Sequence, residues 1–137
     1  MSAEKCMFEI TTGMYSEPLV TEGTYERLPD GARYTWTEIH SEGEIPSDFE
    51  LVINTEAHTV KVVRGGDVGS VMLFDANAPT KGSLNTVYGV IEVGIVTLYI
   101  NMPSVLSPVL EISYELDSGA DEPVRNLFAI KRTDDIV

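Results

Sequence analysis

The chain has 137 residues, 22 acidic against nine basic, and a formal charge of −13 at pH 7. That length allows one domain with one real core. The charge sets the protein against the phosphates of nucleic acid and against anionic membrane surfaces, both of which would repel it.

The opening MSAEKCMFEI has no basic segment leading into a long apolar run, so no secretory leader is expected. Glu4 to Thr11 alternates, with Cys6, Phe8 and Ile10 on one face and Lys5, Met7 and Glu9 on the other, as in a half-buried strand. Cys6 is the only cysteine, so no intrachain disulfide forms; it reads as a small core residue in a protein of a reducing compartment. Val20 to Leu28 is the next strand, with Gly23 a candidate bulge. Leu28-Pro29-Asp30-Gly31 is a turn, because proline fixes φ and Asp-Gly tolerates positive φ. Ala32 to His40 returns antiparallel. Its aromatic face, Tyr34 and Trp36, points inward and carries Glu38 and His40 with it.

Ser41 to Asp48 is polar and broken by Gly43 and Pro46, hence a loop. Phe49–Asn54 and Thr59–Arg64 form a second hairpin around Thr55–His58, with His58 solvated. Parity places Phe49, Leu51, Ile53, Val60, Val62 and Arg64 on the inner face. Gly65-Gly66-Asp67 turns into a short strand, Gly69–Asp75, which buries either Met72 and Phe74 or Val71 and Leu73. Ala76–Gly82 is a loop. Leu84–Asn101 is the longest run of β-branched and aromatic residues. Ile91, Val93 and Ile95 lie on one side, and Val90, Val96, Leu98 and Ile100 on the other. A strand apolar on both sides is expected at the centre of a sheet, covered on both faces. Glycines 89 and 94 mark bends in it, as one strand or two. After a Met102–Pro108 loop, Val109–Asp117 turns Leu110, Ile112, Tyr114 and Leu116 inward, and Val124–Arg132 is the last strand before a frayed tail.

No segment of helical length has a 3.6-residue period, and no uncharged apolar run reaches the roughly 18 residues of a membrane span. Short strands at roughly 8–12-residue spacing mean an all-β fold, an up-and-down barrel or a sandwich, with residues 1–137 as one domain. A cytoplasmic location is expected.

Several segments together resemble a known family. These are WTE at Trp36–Glu38, KVVRGG at Lys61–Gly66, NTVYG with IEVGIVT across Asn85–Thr97, EISYEL at Glu111–Leu116, and the closing RNLFAIK. In this order and spacing they are similar to the YwiB-like family of small bacterial proteins of unknown function. The resemblance implies a calycin-like, lipocalin-related antiparallel up-and-down β-barrel of about eight to ten strands. It implies no catalytic residue, because that family has no activity to transfer. No Gly-x-Trp of the secreted lipocalins stands near the N-terminus.

The sharpest chemical pairing is Glu38 with Arg64. Parity puts both inside, where a lone charge is costly, and a guanidinium matches a carboxylate in bidentate fashion. They are expected to share one end of the interior and pair directly or through water, either as a structural plug or with Arg64 holding an anionic head group. Tyr25, Tyr34, Trp36, Tyr88 and Tyr114 are candidate walls of the same cavity and equally candidate core. Metal-ligand spacings, a glycine-rich phosphate loop and Gly-x-Ser-x-Gly are all absent, so no metal or cofactor is expected. An enzyme reading would need His40 beside Glu38 as a general base. Two readings therefore stand ahead of it. One is a non-catalytic barrel binding a small amphipathic or anionic molecule. The other is a structural or interaction barrel with a filled core, monomer or homodimer, with Val52, Val63 and Val87 on its outer face.

Overall fold

A computed structural model describes residues 3–13, 17–38, 46–66, 69–86, 88–104, 107–117 and 124–133. Ten strands form the fold: β1 (Glu4–Thr12), β2 (Leu19–Leu28), β3 (Gly31–Glu38), β4 (Ser47–Asn54), β5 (Thr59–Arg64), β6 (Ser70–Asp75), β7 (Thr80–Thr86), β8 (Gly89–Asn101), β9 (Val109–Asp117) and β10 (Val124–Thr133). Each pairs antiparallel with its neighbours in sequence, and β1 pairs with β10 to close an up-and-down barrel. Closure removes the sheet edges that a ten-stranded meander would otherwise expose. Among the described residues no helix is long and apolar enough to cross a membrane.

Alternation decides which side chains fill the barrel. Phe8, Ile10, Leu51, Val60, Ile95, Leu110, Ile112 and Ile130 are essentially sealed from solvent at its centre. Burying each contributes about 1.5–3 kcal/mol. Cys6 is buried beside them and forms no disulfide. The register confirms the inward face of β3, where Tyr34 lies opposite Leu51 and Trp36 opposite Phe49. It also settles β6: Met72 and Phe74 are buried, while Val71 and Leu73 are exposed.

The run Leu84–Asn101 departs from expectation. Of the two alternatives it is two strands rather than one, and it is not covered on both faces. Chain reversal occurs at its first glycine: Gly89 has φ of +115° and stands opposite Thr86, so the segment splits into the β7–β8 hairpin. The partner strand is drawn from Thr80–Gly82, which local polarity marks as loop. Gly94 continues the ladder opposite Lys81. Val90, Val96 and Leu98 face outward and are exposed, whereas Ile100 is buried. The switch comes from a register shift between Thr97 and Tyr99, which turns Ile100 onto the inner face.

Gly23 is not a bulge either. It pairs in register with both Cys6 and Trp36. A Cβ there would stand 2.2 Å from the Thr35 carbonyl oxygen and 2.6 Å from the Phe8 ring. The glycine is needed for this close approach of strand and ring.

Candidate functional site

The barrel has two ends, and each holds an arginine on an inward face. At the first, β3, β4 and β5 bring together Glu38, Ser47 and Arg64. Glu38 is only 7% exposed, and its carboxylate accepts a hydrogen bond from Trp36 Nε1 at 2.7 Å. Ser47 stands directly opposite Glu38 in the ladder. Arg64 donates to the Ser47 hydroxyl from Nε at 3.2 Å and from Nη2 at 3.1 Å. Its guanidinium also lies 5.5 Å from the centre of the Phe49 ring, which stacks at 5.2 Å on Trp36 with an angle of 3° between the planes. Glu38 and Arg64 thus share one end of the interior; Trp36 donates to the carboxylate, and the guanidinium donates to Ser47, which stands opposite Glu38. Among the described residues, stacked rings, a buried serine and a half-buried arginine form a side-chain plug at this end. His40, on which an enzyme reading depends, lies outside the described residues.

At the other end, β2 and β10 finish and β3 begins. Tyr25 and Tyr34 pair across β2 and β3 with their rings edge to face at 5.3 Å. Arg132, inward on β10 opposite Phe8, lays its guanidinium 3.9 Å from the centre of the Tyr25 ring. Arg27 follows Tyr25 on the same side of β2 and is exposed at the rim. Pro103, Ser104 and Pro108 complete the wall from the β8–β9 connection, where Ser104 and Ser107 exchange backbone hydrogen bonds. Between these groups lies a cavity of about 520 Å³. A second cavity of about 350 Å³ adjoins it, sharing Tyr25, Arg27, Tyr34 and Pro103. Burial pushes the Tyr34 hydroxyl up to about 12, with Tyr25 and Cys6 adding to the rise and Arg132 opposing it. Tyr34 therefore remains a proton donor throughout the neutral range.

The remaining candidates divide. Trp36 belongs to the plug. Tyr114 faces inward and tilts against Phe74 at 4.7 Å, a core contact, and burial raises its hydroxyl above the usual tyrosine range. Tyr88 is no wall at all: it is 96% exposed on the β7–β8 turn, because the chain reverses where a continuous strand was expected. The arginines of the second end, Arg27 and Arg132, were missed, although parity with Tyr25 and with Phe128 and Ile130 marks both as inward.

A slightly larger groove, about 560 Å³, runs along the outer wall across β2–β5 past Thr24, Thr35, Asp48 and Glu50. Two of its three acids are engaged locally: Asp48 accepts a hydrogen bond from Thr37 at 2.8 Å, and Glu50 lies 3.7 Å from Arg33. Among the described residues no three His, Cys, Asp or Glu side chains come together as metal ligands would.

Comparison with known proteins fits this architecture. A family model for DUF1934, a domain of unknown function, matches residues 12–130. The chain belongs to the DUF1934 family. Among solved structures it is similar to the crystal structure of the ywiB protein from Bacillus subtilis, with 17% identity and a TM-score of 0.61 over 96% of this chain and 92% of that one. At that identity the likeness is one of fold, and it agrees with the resemblance carried by the segments from Trp36 to Lys131. No curated protein matches the chain.

Proposed function

We propose that this DUF1934 domain is a non-catalytic binding barrel that takes a small oxyanion at the mouth between Arg27 and Arg132. One observation carries the reading: the polar side chains lining the 520 Å³ cavity are all donors near neutral pH. They are two guanidinium groups, the Tyr25 and Tyr34 hydroxyls and the Ser104 hydroxyl. Among the described residues no carboxylate lines it, in a chain carrying 22 of them. Guanidinium groups bind carboxylate and phosphate oxygens with the strongest of the ordinary hydrogen bonds. The same chemistry argues for binding rather than turnover. Among the described residues this lining holds no carboxylate or imidazole to serve as a general base.

The Arg64 end, first choice on sequence parity, supports the reading less well. Two of the Arg64 donors, on Nε and Nη2, are already engaged by Ser47. A titration of ¹⁵N-labelled protein with inorganic phosphate separates the two ends. Saturable amide shifts centred on Tyr25–Arg27, Ser104 and Lys131–Arg132 are expected. Shifts centred on Glu38, Ser47 and Arg64, or none that saturate, would sink the proposal.

A second reading, an interaction barrel that pairs through its outer wall, is favoured by a separate observation. Val71 and Leu73 on β6, Val96, Leu98 and Tyr99 on β8, and Leu127 on β10 are all exposed, and clustered apolar surface is a mark of contact sites. This is a different face from the one expected: Val52 and Val63 are half-buried, and position 87 lies outside the described residues. Sedimentation equilibrium is the check. A dimer that Leu98→Glu dissociates would support this reading, and a monomer at high concentration would remove it.

A further inference from the structure

We infer that the oxyanion bound at the Arg27–Arg132 mouth carries a short apolar group, which lodges in the adjoining cavity and cannot extend down the barrel axis. The inference rests on the oxyanion reading above and narrows the ligand to a compact amphipathic phosphate or carboxylate.

Three features carry it. First, the mouth has two unlike lobes. The larger one holds Arg132 and Ser104; the smaller, about 350 Å³, is walled by Leu28, Pro29, Ala32, Ile53 and Pro103. Arg27, Tyr25 and Tyr34 stand on the wall common to both. A molecule with its charged end among the guanidinium groups thus has within reach, on one side, a recess whose apolar wall is interrupted by Thr55, the hydroxyl of which donates to the Asp30 carbonyl. Second, the aromatic faces are already engaged. Arg132 covers one face of Tyr25, and Tyr34 meets the edge of Tyr25 on one side and Phe8 at 5.4 Å on the other. The recess therefore suits a compact aliphatic body better than a large ring seeking a stacking partner. Third, the recess has a closed floor. Ala32 and Ile53 are buried, and beneath them Phe8, Leu51 and Val60 are sealed. A long acyl chain of the kind an open calyx swallows would have to displace packed core, and dense interiors resist that.

The test is the chain-length dependence of binding, measured by calorimetric titration with methyl, butyl, hexyl, octyl and dodecyl phosphate below their micellar concentrations, alongside the matching carboxylates. Each methylene that enters the recess should tighten binding about fourfold. The gain is expected from methyl to between butyl and hexyl, with little further change from octyl to dodecyl. Whichever series binds tighter identifies the head group, and the plateau is expected in that series. Leu28→Ala should weaken hexyl phosphate severalfold and leave methyl phosphate unchanged. A gain that continues to dodecyl, or affinity independent of chain length, would overturn the inference while leaving the oxyanion reading intact. Failure of every member to bind, methyl phosphate included, would overturn that reading as well.

Discussion

The Arg64 end and the Arg132 end of the barrel are built from the same materials. Each sets an inward arginine over an aromatic ring, Phe49 at 5.5 Å in one case and Tyr25 at 3.9 Å in the other. They differ in what lies beyond the guanidinium. Arg64 meets Ser47, with the buried Glu38 opposite that serine and Trp36 stacked behind Phe49. Arg132 borders a 520 Å³ space that it shares with a second arginine. An arginine on an inward face is therefore either a seal or a site. What decides between them is the set of groups that meets the guanidinium: Ser47 for Arg64, and the cavity wall of Tyr25, Arg27, Tyr34 and Ser104 for Arg132.

The difference can be sharpened first by removing the largest ring at each end. Trp36→Ala takes away the stack on Phe49 and the donor to Glu38, and should cost about 3–5 kcal/mol in urea denaturation. Tyr25→Ala, at the half-buried rim, should cost less than half as much. A larger cost at Tyr25 would mean that the seal is at the wrong end.

Alkaline titration probes the mouth by itself. The native state holds the Tyr34 proton more tightly than the unfolded chain, with the hydroxyl pushed up from 10 to about 12. Stability should be level up to pH 10 and fall as pH rises toward 12, by about 2–3 kcal/mol at most, because only the unfolded chain loses that proton in the interval. Tyr34→Phe should remove most of this slope. An unchanged slope in that variant would place its origin elsewhere.

Smaller effects are expected of the arginines on stability. Arg64→Leu leaves the buried Ser47 without its donor and removes the contact with the Phe49 ring, and should cost about 1–3 kcal/mol. Arg132→Leu loses the cation–π contact with Tyr25, which by itself contributes about 0.5–1 kcal/mol, and Arg27→Leu should fall within about 0.5 kcal/mol. Least of all, Tyr88→Ala should alter neither stability nor phosphate binding beyond about 0.5 kcal/mol, since the ring stands in solvent.

Much of this was legible from alternation alone. The inward faces of β3, β4 and β9, the buried Cys6 and the inward Arg64 follow from a period of two. Two kinds of information were not local. The β7–β8 reversal uses Tyr88, a residue that reads as strand, and the first part of β7, Thr80–Gly82, reads as loop; only pairing with β8 makes it a strand. Likewise the register shift between Thr97 and Tyr99 carries no compositional mark. For the site, parity identified Arg64 because it closes a strongly apolar strand. Arg27 and Arg132 sit at the ends of strands with mixed faces, where an inward arginine looks like a rim charge. Only closure of β1 on β10 brings the two together around one cavity.

The most direct measurement is calorimetric titration of inorganic phosphate into three proteins: the unaltered chain, the Arg27→Leu/Arg132→Leu double variant and Arg64→Leu. Binding should survive in Arg64→Leu within about twofold and weaken more than about tenfold in the double variant, since two charge-assisted contacts are lost. The reverse pattern, with binding lost in Arg64→Leu and kept in the double variant, would show that the plug is the site and contradict the account.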